Sequence, residues 1–190
     1  VFNGDGYSKE WVDEAARRGL PNLRTTPEAL KTLKDKDAYS FLVRNGIFHE
    51  SEIETRYNIL IERYIKIREI EFETMIDMIH QFVIPSGLEY KAMLTKIIKG
   101  QKEIGLSASN FEMDAYKKVS SKIDEIHALS TGLLKELGDD HSDHQRYAEK
   151  IATELMTTVT AMGGICNELE ELIPNQFYTL PKYYDMLFLR

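Results

Sequence analysis

Between Tyr116 and Leu137 the side chains Tyr116, Val119, Ile123, Ile126, Ser130, Leu133 and Leu137 recur in alternating steps of three and four, apolar but for the serine. That period is the seam of a helix packed lengthwise on other helices; a strand, which alternates every second residue, has no use for it. A second run repeats the pattern: Ala148, Ile151, Leu155, Thr158, Met162, Ile165, Leu169 and Leu172. An earlier run of helical spacing passes through Tyr57, Ile61, Tyr64, Phe72, Met75, Ile79 and Phe82, meets Pro85, and resumes at Tyr90, Leu94, Ile97 and Ile104 until Gly105. Proline removes the hydrogen bond to the carbonyl of Gln81 and crowds it, so a kink or break is expected there. Each helix has one apolar stripe, so none is stable alone, and short polar turns force neighbours to run in opposite directions. The expected fold is all-α: an antiparallel bundle of three long helices, one kinked at Pro85, plus short N-terminal helices.

Those short helices come first. Ser8 caps one that Gly19 and Pro21 close, Thr26-Pro27-Glu28 starts a second, and a third runs near Asp37 to Arg44 and stops at Asn45-Gly46. Ser51 with Glu54, and Ser142 with Gln145, read as capping boxes opening long helices. The expected division is a short-helix section over 1–48 and a long-helix unit over 49–190 with an aromatic tail. Residues 1–48 hold Trp11, Leu20, Leu23 and Leu30, more apolar surface than three short helices can bury. With the tail from Phe177 to Phe188 they are expected to dock on another surface, while the long helices project away from it. The chain opens on Val1 and a pair of turns, which reads as a piece of a longer protein.

Charge narrows the function. The net charge of -7 argues against nucleic-acid or anionic-membrane binding, which draws on surplus Lys and Arg. The single cysteine, Cys166, excludes an internal disulfide and fits a reducing, cytoplasmic setting. No apolar run approaches the ~18 residues of a membrane span.

No catalytic constellation emerges from the residues, and no catalytic, cofactor-binding or metal-ligating residue is assigned. Asn3-Gly4-Asp5-Gly6 lacks the strand, the length and the Lys-Ser or Lys-Thr ending of a phosphate loop, and reads as turns before the Ser8 cap. Asp77/His80 and Asp124/His127 are carboxylate-x-x-His pairs of the kind that binds metal between bundle helices, and a free-standing metal-binding bundle is the alternative function. Against it, Asp77 and His80 share a stripe with Lys66, Glu69 and Glu73, and Asp124 and His127 with Lys117, Ser120 and Thr131, so both pairs are expected to face water. The turn Asp139, Asp140, His141, Asp143, His144 reads as an interhelical loop, His49-Glu50 lacks a second zinc-protease histidine, and Cys166 as a buried, inert thiol. Gly163-Gly164, costly in mid-helix, is expected to mark a close helix contact or a bend.

One resemblance goes beyond physics. Phe2-Asn3-Gly4-Asp5-Gly6-Tyr7-Ser8, Glu10-Trp11, Glu14-Ala15, Arg18-Gly19-Leu20 and Asn22-Leu23-Arg24-Thr25-Thr26-Pro27-Glu28-Ala29-Leu30 resemble the segment that follows the catalytic barrel of type III glutamine synthetases. Arg56-Tyr57 through Thr74-Met75-Ile76-Asp77-Met78, with Pro85 beyond, is similar to that family's C-terminal helical region. The resemblance implies a parent enzyme that joins ammonia to glutamate with ATP through a γ-glutamyl phosphate, using magnesium or manganese. It further implies a cytoplasmic homo-oligomer, a dodecamer of two stacked hexamers. The family's metal, ATP and glutamate ligands belong to the upstream barrel, so none is carried onto this segment. Its role would be assembly or regulation, its partners the barrel of the same chain and neighbouring subunits.

Overall fold

Local capping chemistry sets the ends of the first helices. In the computed structural model, which describes residues 2–138 and 142–188, every regular element among the described residues is helical. Helix α1 (Lys9–Arg17) starts where the Ser8 hydroxyl accepts the Trp11 N–H at 3.3 Å. It ends as Gly19 turns into the left-handed region and the Leu20 N–H returns to the carbonyl of Ala15. Helix α2 (Thr26–Leu30) is capped by Thr25 in a reciprocal box with Glu28, one residue before the expected Thr26, and Pro27 sits in the first turn. A 3-10 turn (Lys31–Lys34) leads to α3 (Lys36–Arg44), capped by Asp35.

The long helices differ at their starts from the expectation. Helix α4 (Glu50–Met78) begins before Ser51, and the Glu52 carboxylate, not Glu54, accepts the preceding free amide, that of His49, at 2.7 Å. Helix α7 (His144–Lys150) is capped by Asp143 instead of Ser142, leaving Gln145 free for tertiary contacts. Helix α6 (Asn110–Leu137) opens on a Ser109/Glu112 capping box. Serine, threonine and aspartate cap almost equally well, so where two stand side by side tertiary contacts choose between them.

The chain packs as two units. One comprises residues 1–65 and 143–152, the other 66–142 and 153–190. Helix α4 begins close to the expected boundary at 48/49, and the division between the packing units falls along it, at Ile65.

In the first unit α7 lies against α2. Gln145 ties the elements together: its Oε1 accepts the Tyr57 hydroxyl at 2.7 Å, and its Nε2 donates to the carbonyl of Pro27 at 3.2 Å and to Glu149 at 2.6 Å. Lys31 pairs with Glu149 at 2.7 Å, and the Lys34 ammonium stands 4.2 Å from the centre of the Tyr57 ring. Leu30, Ile53, Tyr57, Ile61, Tyr147 and Ala148 form the core.

The second unit is built on α5 (Ile84–Glu103), α6 and α8 (Met156–Leu172), with α6 packed on both of the others. Val119, Ile123, Ile126, Ser130 and Leu133 are buried as the seam predicts, and so are Leu155, Met162, Ile165 and Leu169. Beyond Ile65 the buried set of that run is Phe72 and Ile76 on α4, then Ile79 and Val83; Phe82, expected inside, is 38% exposed.

The break at Pro85 takes the form of a π turn over Ile79–Val83, in which the Ile84 N–H donates to the carbonyl of Ile79, five residues back. Without an amide at 85 the Gln81 carbonyl has lost its usual donor, and a wider turn is one way to absorb that loss. A second π turn (Ile151–Leu155) divides the run from Ala148 to Leu172 into α7 and α8. The tight glycine is Gly87, where a Cβ would meet Ile123 Cδ1 at 2.7 Å. Gly163 meets only the Met75 methyl, at 3.9 Å, and Gly164 nothing within 4 Å, so the expected close contact at that pair is absent.

Candidate functional site

The two Asp-x-x-His pairs meet at their histidines. The His80 and His127 ring centres are 5.9 Å apart, on the π turn and α6. His80 is half-buried, which corrects the expectation that its pair faces water; Asp77, Asp124 and His127 are exposed as expected. His80 follows buried Ile76 by four residues and so flanks the core stripe. Its Nε2 lies 2.8 Å from Ser130 Oγ, and Ser130 donates its one hydroxyl proton to the carbonyl of His127 at 3.1 Å. The serine oxygen therefore accepts from His80, whose Nε2 carries a proton. This satisfies the polar member of the seam. Among the described residues no group of three or more His, Cys, Asp or Glu could hold a metal ion, so an ion at this point would have two imidazoles and otherwise water.

The other sequence candidates separate. Asp139, Asp140 and His141 lie outside the described residues; of the same turn, Asp143 caps α7, and His144 Nδ1 lies 3.8 Å from Glu62. Asp5 belongs to a turn that accepts the Tyr7 and Ser8 amides, and His49 precedes α4. Cys166 is half-buried, and burial pushes its thiol up to about 11, so it stays protonated at neutral pH.

The tail folds back on the second unit. Ser86 Oγ accepts the Thr179 N–H at 3.3 Å while donating to the carbonyl of Phe82 at 2.7 Å, and the Phe177 and Tyr90 rings lie 5.8 Å apart. Buried Lys182 donates to the carbonyls of Glu170 and Ile173 at 2.5 and 2.6 Å, closing the C-terminal end of α8 where carbonyls lack helical donors. Burial also pushes the Tyr178 hydroxyl up to about 12. Phe177 and Tyr178 are thus partly covered within the chain, against the expectation that the whole tail needs another surface. What remains open is helix α9 (Tyr183–Leu187) with Phe188: Leu187 is 80% and Phe188 78% exposed. Leu20, Leu23, Phe41 and Ile47 of the first unit are also exposed, while Leu30 is buried and Trp11 half-buried. Sequence reasoning missed the apolar tip between α5 and α6, where Ile104 and Phe111 are exposed by 73% and 75%. Its signal was there: helical spacing that runs on to Ile104 beyond the last packed turn. Among the described residues no helix is long and apolar enough to cross a membrane.

Comparison with known proteins gives these surfaces a family. The family model for the glutamine synthetase C-terminal domain matches residues 1–102, from the N-terminus almost to the end of α5. A glutamine synthetase of Butyrivibrio fibrisolvens is 31% identical over 195 residues, covering 99% of this chain and 27% of the relative. The type-3 glutamine synthetase of Dictyostelium discoideum is 27% identical over 198 residues, covering 100% and 27%. A glutamine synthetase of Bacteroides fragilis is 29% identical over 196 residues, covering 98% and 27%. The chain thus spans 27% of the length of these relatives, and by the match over more than half of its residues it belongs to the glutamine synthetase C-terminal domain family.

Proposed function

We propose that this chain is the non-catalytic helical part of a type III glutamine synthetase and that it serves assembly or regulation of the enzyme. The parent would make glutamine from glutamate, ammonia and ATP through a γ-glutamyl phosphate, with magnesium or manganese bound in its barrel, in the cytoplasm. The observation that carries the reading is the family match together with apolar side chains left open at α9 and on the short N-terminal helices. Such surfaces mark interaction sites. Their partners would be the catalytic barrel of the same chain and neighbouring subunits of a homo-oligomer, a dodecamer by resemblance. The long helices would form an antiparallel bundle; the pairs Lys91–Ser120 and Gln101–Glu112 support opposite chain directions for α5 and α6.

The test is footprinting of Trp11 and Tyr184 in the complete enzyme and in residues 1–190 alone. Both should be protected in the complete enzyme. Equal accessibility in the two would leave a bundle on a tether. A second reading, metal binding through Asp77/His80 and Asp124/His127, draws support from the 5.9 Å approach of the imidazoles. Metal analysis of the purified chain tests it, and a stoichiometric transition metal lost in His127→Ala would favour it.

A further inference from the structure

Residues 177–188 tie the C-terminal end of α8 to the turn that absorbs Pro85. At one end the buried Lys182 ammonium donates to the carbonyls of Glu170 and Ile173 and stands 5.4 Å from the centre of the Tyr178 ring. The Tyr183 amide adds a bond to the Glu170 carboxylate at 2.9 Å. At the other end Thr179 meets Ser86, which is buried. Ser86 gives its one hydroxyl proton to the carbonyl of Phe82, so its oxygen accepts from Thr179 twice, from the amide at 3.3 Å and from the hydroxyl at 3.4 Å. Phe82 lies inside the π turn Ile79–Val83, so this serine links the tail to that turn. Phe177 covers the same side of α5: its ring lies against that of buried Tyr90, one helical turn beyond Ser86.

We infer that residues 177–188 are a strap, clasped by Lys182, that braces the π turn, and that capture of α9 by another part of the enzyme tightens it. The π turn is the weak point of its helix, because Pro85 supplies no amide and a wide turn replaces the regular ladder. It also carries His80, whose bond to Ser130 satisfies the polar member of the α6 seam, so steadying the turn steadies that bond. The strap docks and releases as one piece. Helix α9 has five residues, too few to persist alone, and its orientation comes from the clasp that precedes it. Loss of the clasp leaves the carbonyls of Glu170 and Ile173 without their donor and frees Thr179 and Phe177 from α5. The far end of the strap is an open handle, with Leu187 and Phe188 exposed. A surface that holds α9 therefore holds Lys182 in place, and through it Thr179 on Ser86. The brace stands on contacts within the second unit; the capture of α9 rests on the assembly reading above.

The test is hydrogen exchange, resolved by peptide, in the complete synthetase that contains this chain. Lys182→Met keeps an apolar stem and removes the ammonium. Peptides 79–90 and 177–188 should then exchange faster together, by about tenfold or more for the loss of two bonds from a charged donor. The seams of α6 at 119–133 and of α8 at 162–169 should keep their protection. Unchanged exchange at 79–90 would overturn the brace. Equal loss across the seams would overturn it too, making Lys182 a general support of the unit. Leu187→Asp leaves the clasp intact and spoils only the exposed handle. It should speed exchange at 183–188 and, to a smaller degree, at 79–90. If it loosens 183–188 alone, α9 is captured but the coupling to the π turn is overturned. If it changes neither peptide while Lys182→Met changes both, the brace stands and the assembly reading fails at this surface.

Discussion

Replacing Gly87 by alanine tests how tightly α5 lies on α6. The new Cβ would stand 2.7 Å from Ile123 Cδ1, 3.2 Å from its Cγ1 and 3.5 Å from Val119 Cγ1. Neither neighbour has open room: Ile123 is 7% exposed and Val119 0%. Alanine in a helix interior gains about 1 kcal/mol over glycine. Inserting a methyl group into a packed core costs about 1–3 kcal/mol. The net effect should run from neutral to a loss of about 2 kcal/mol. Gly164 is the internal control, a mid-helix glycine with nothing within 4 Å of a built Cβ. Gly164→Ala should therefore keep its gain of about 0.5–1 kcal/mol. Urea unfolding followed by helical circular dichroism, with slopes unchanged, measures both. The prediction is a separation of at least ~0.5 kcal/mol between the variants, given those ranges. Equal stabilisation by both would refute the close approach of α5 and α6 at this position.

Other outcomes follow from the same packing. Leu133→Ala and Leu155→Ala should each lose about 2–5 kcal/mol in the same unfolding assay, because both are buried on the seam. Asp77→Ala, exposed, should change stability little, while His80→Ala should cost about 1 kcal/mol for the lost bond to Ser130. The Glu149 carboxyl is held below its ordinary value of 4.5 by its hydrogen bonds from Lys31 and Gln145. Its contribution to the first unit is therefore complete above that value and lost as pH falls through the lower, folded one; acid titration of Glu149→Gln should show a shallower loss. Residues 1–190 alone should form no glutamine from glutamate, ammonia and ATP, and measurable turnover would contradict the non-catalytic reading.

The heptad period carried much of the fold because burial of a helix follows its own repeat. The α6 seam was read correctly from Val119 to Leu133, with its end members Tyr116 and Leu137 only half-buried, and it includes Ser130, whose burial waits on His80 and a backbone carbonyl for its explanation. The stripe along α4 and α5 was read less well, since the π turn at Ile79–Val83 shifts the register just where Phe82 was expected inside. Caps slipped by a residue wherever two capping side chains adjoin, as at Thr25/Thr26 and Ser142/Asp143. The meeting of His80 with His127 was not legible, because spacing within one helix says nothing about which turn of another it faces. Nor was the tail's fastening by Lys182, since a lysine in a sequence gives no sign that it will be buried on carbonyl oxygens.

The central claim is that this domain contributes assembly and no chemistry. Native mass spectrometry of the complete synthetase, intact and with residues 1–190 removed, tests it directly. The account predicts that the intact protein forms the full homo-oligomer and that the truncated one falls to smaller species with its barrel still folded. An unchanged number of subunits per oligomer after truncation would contradict it.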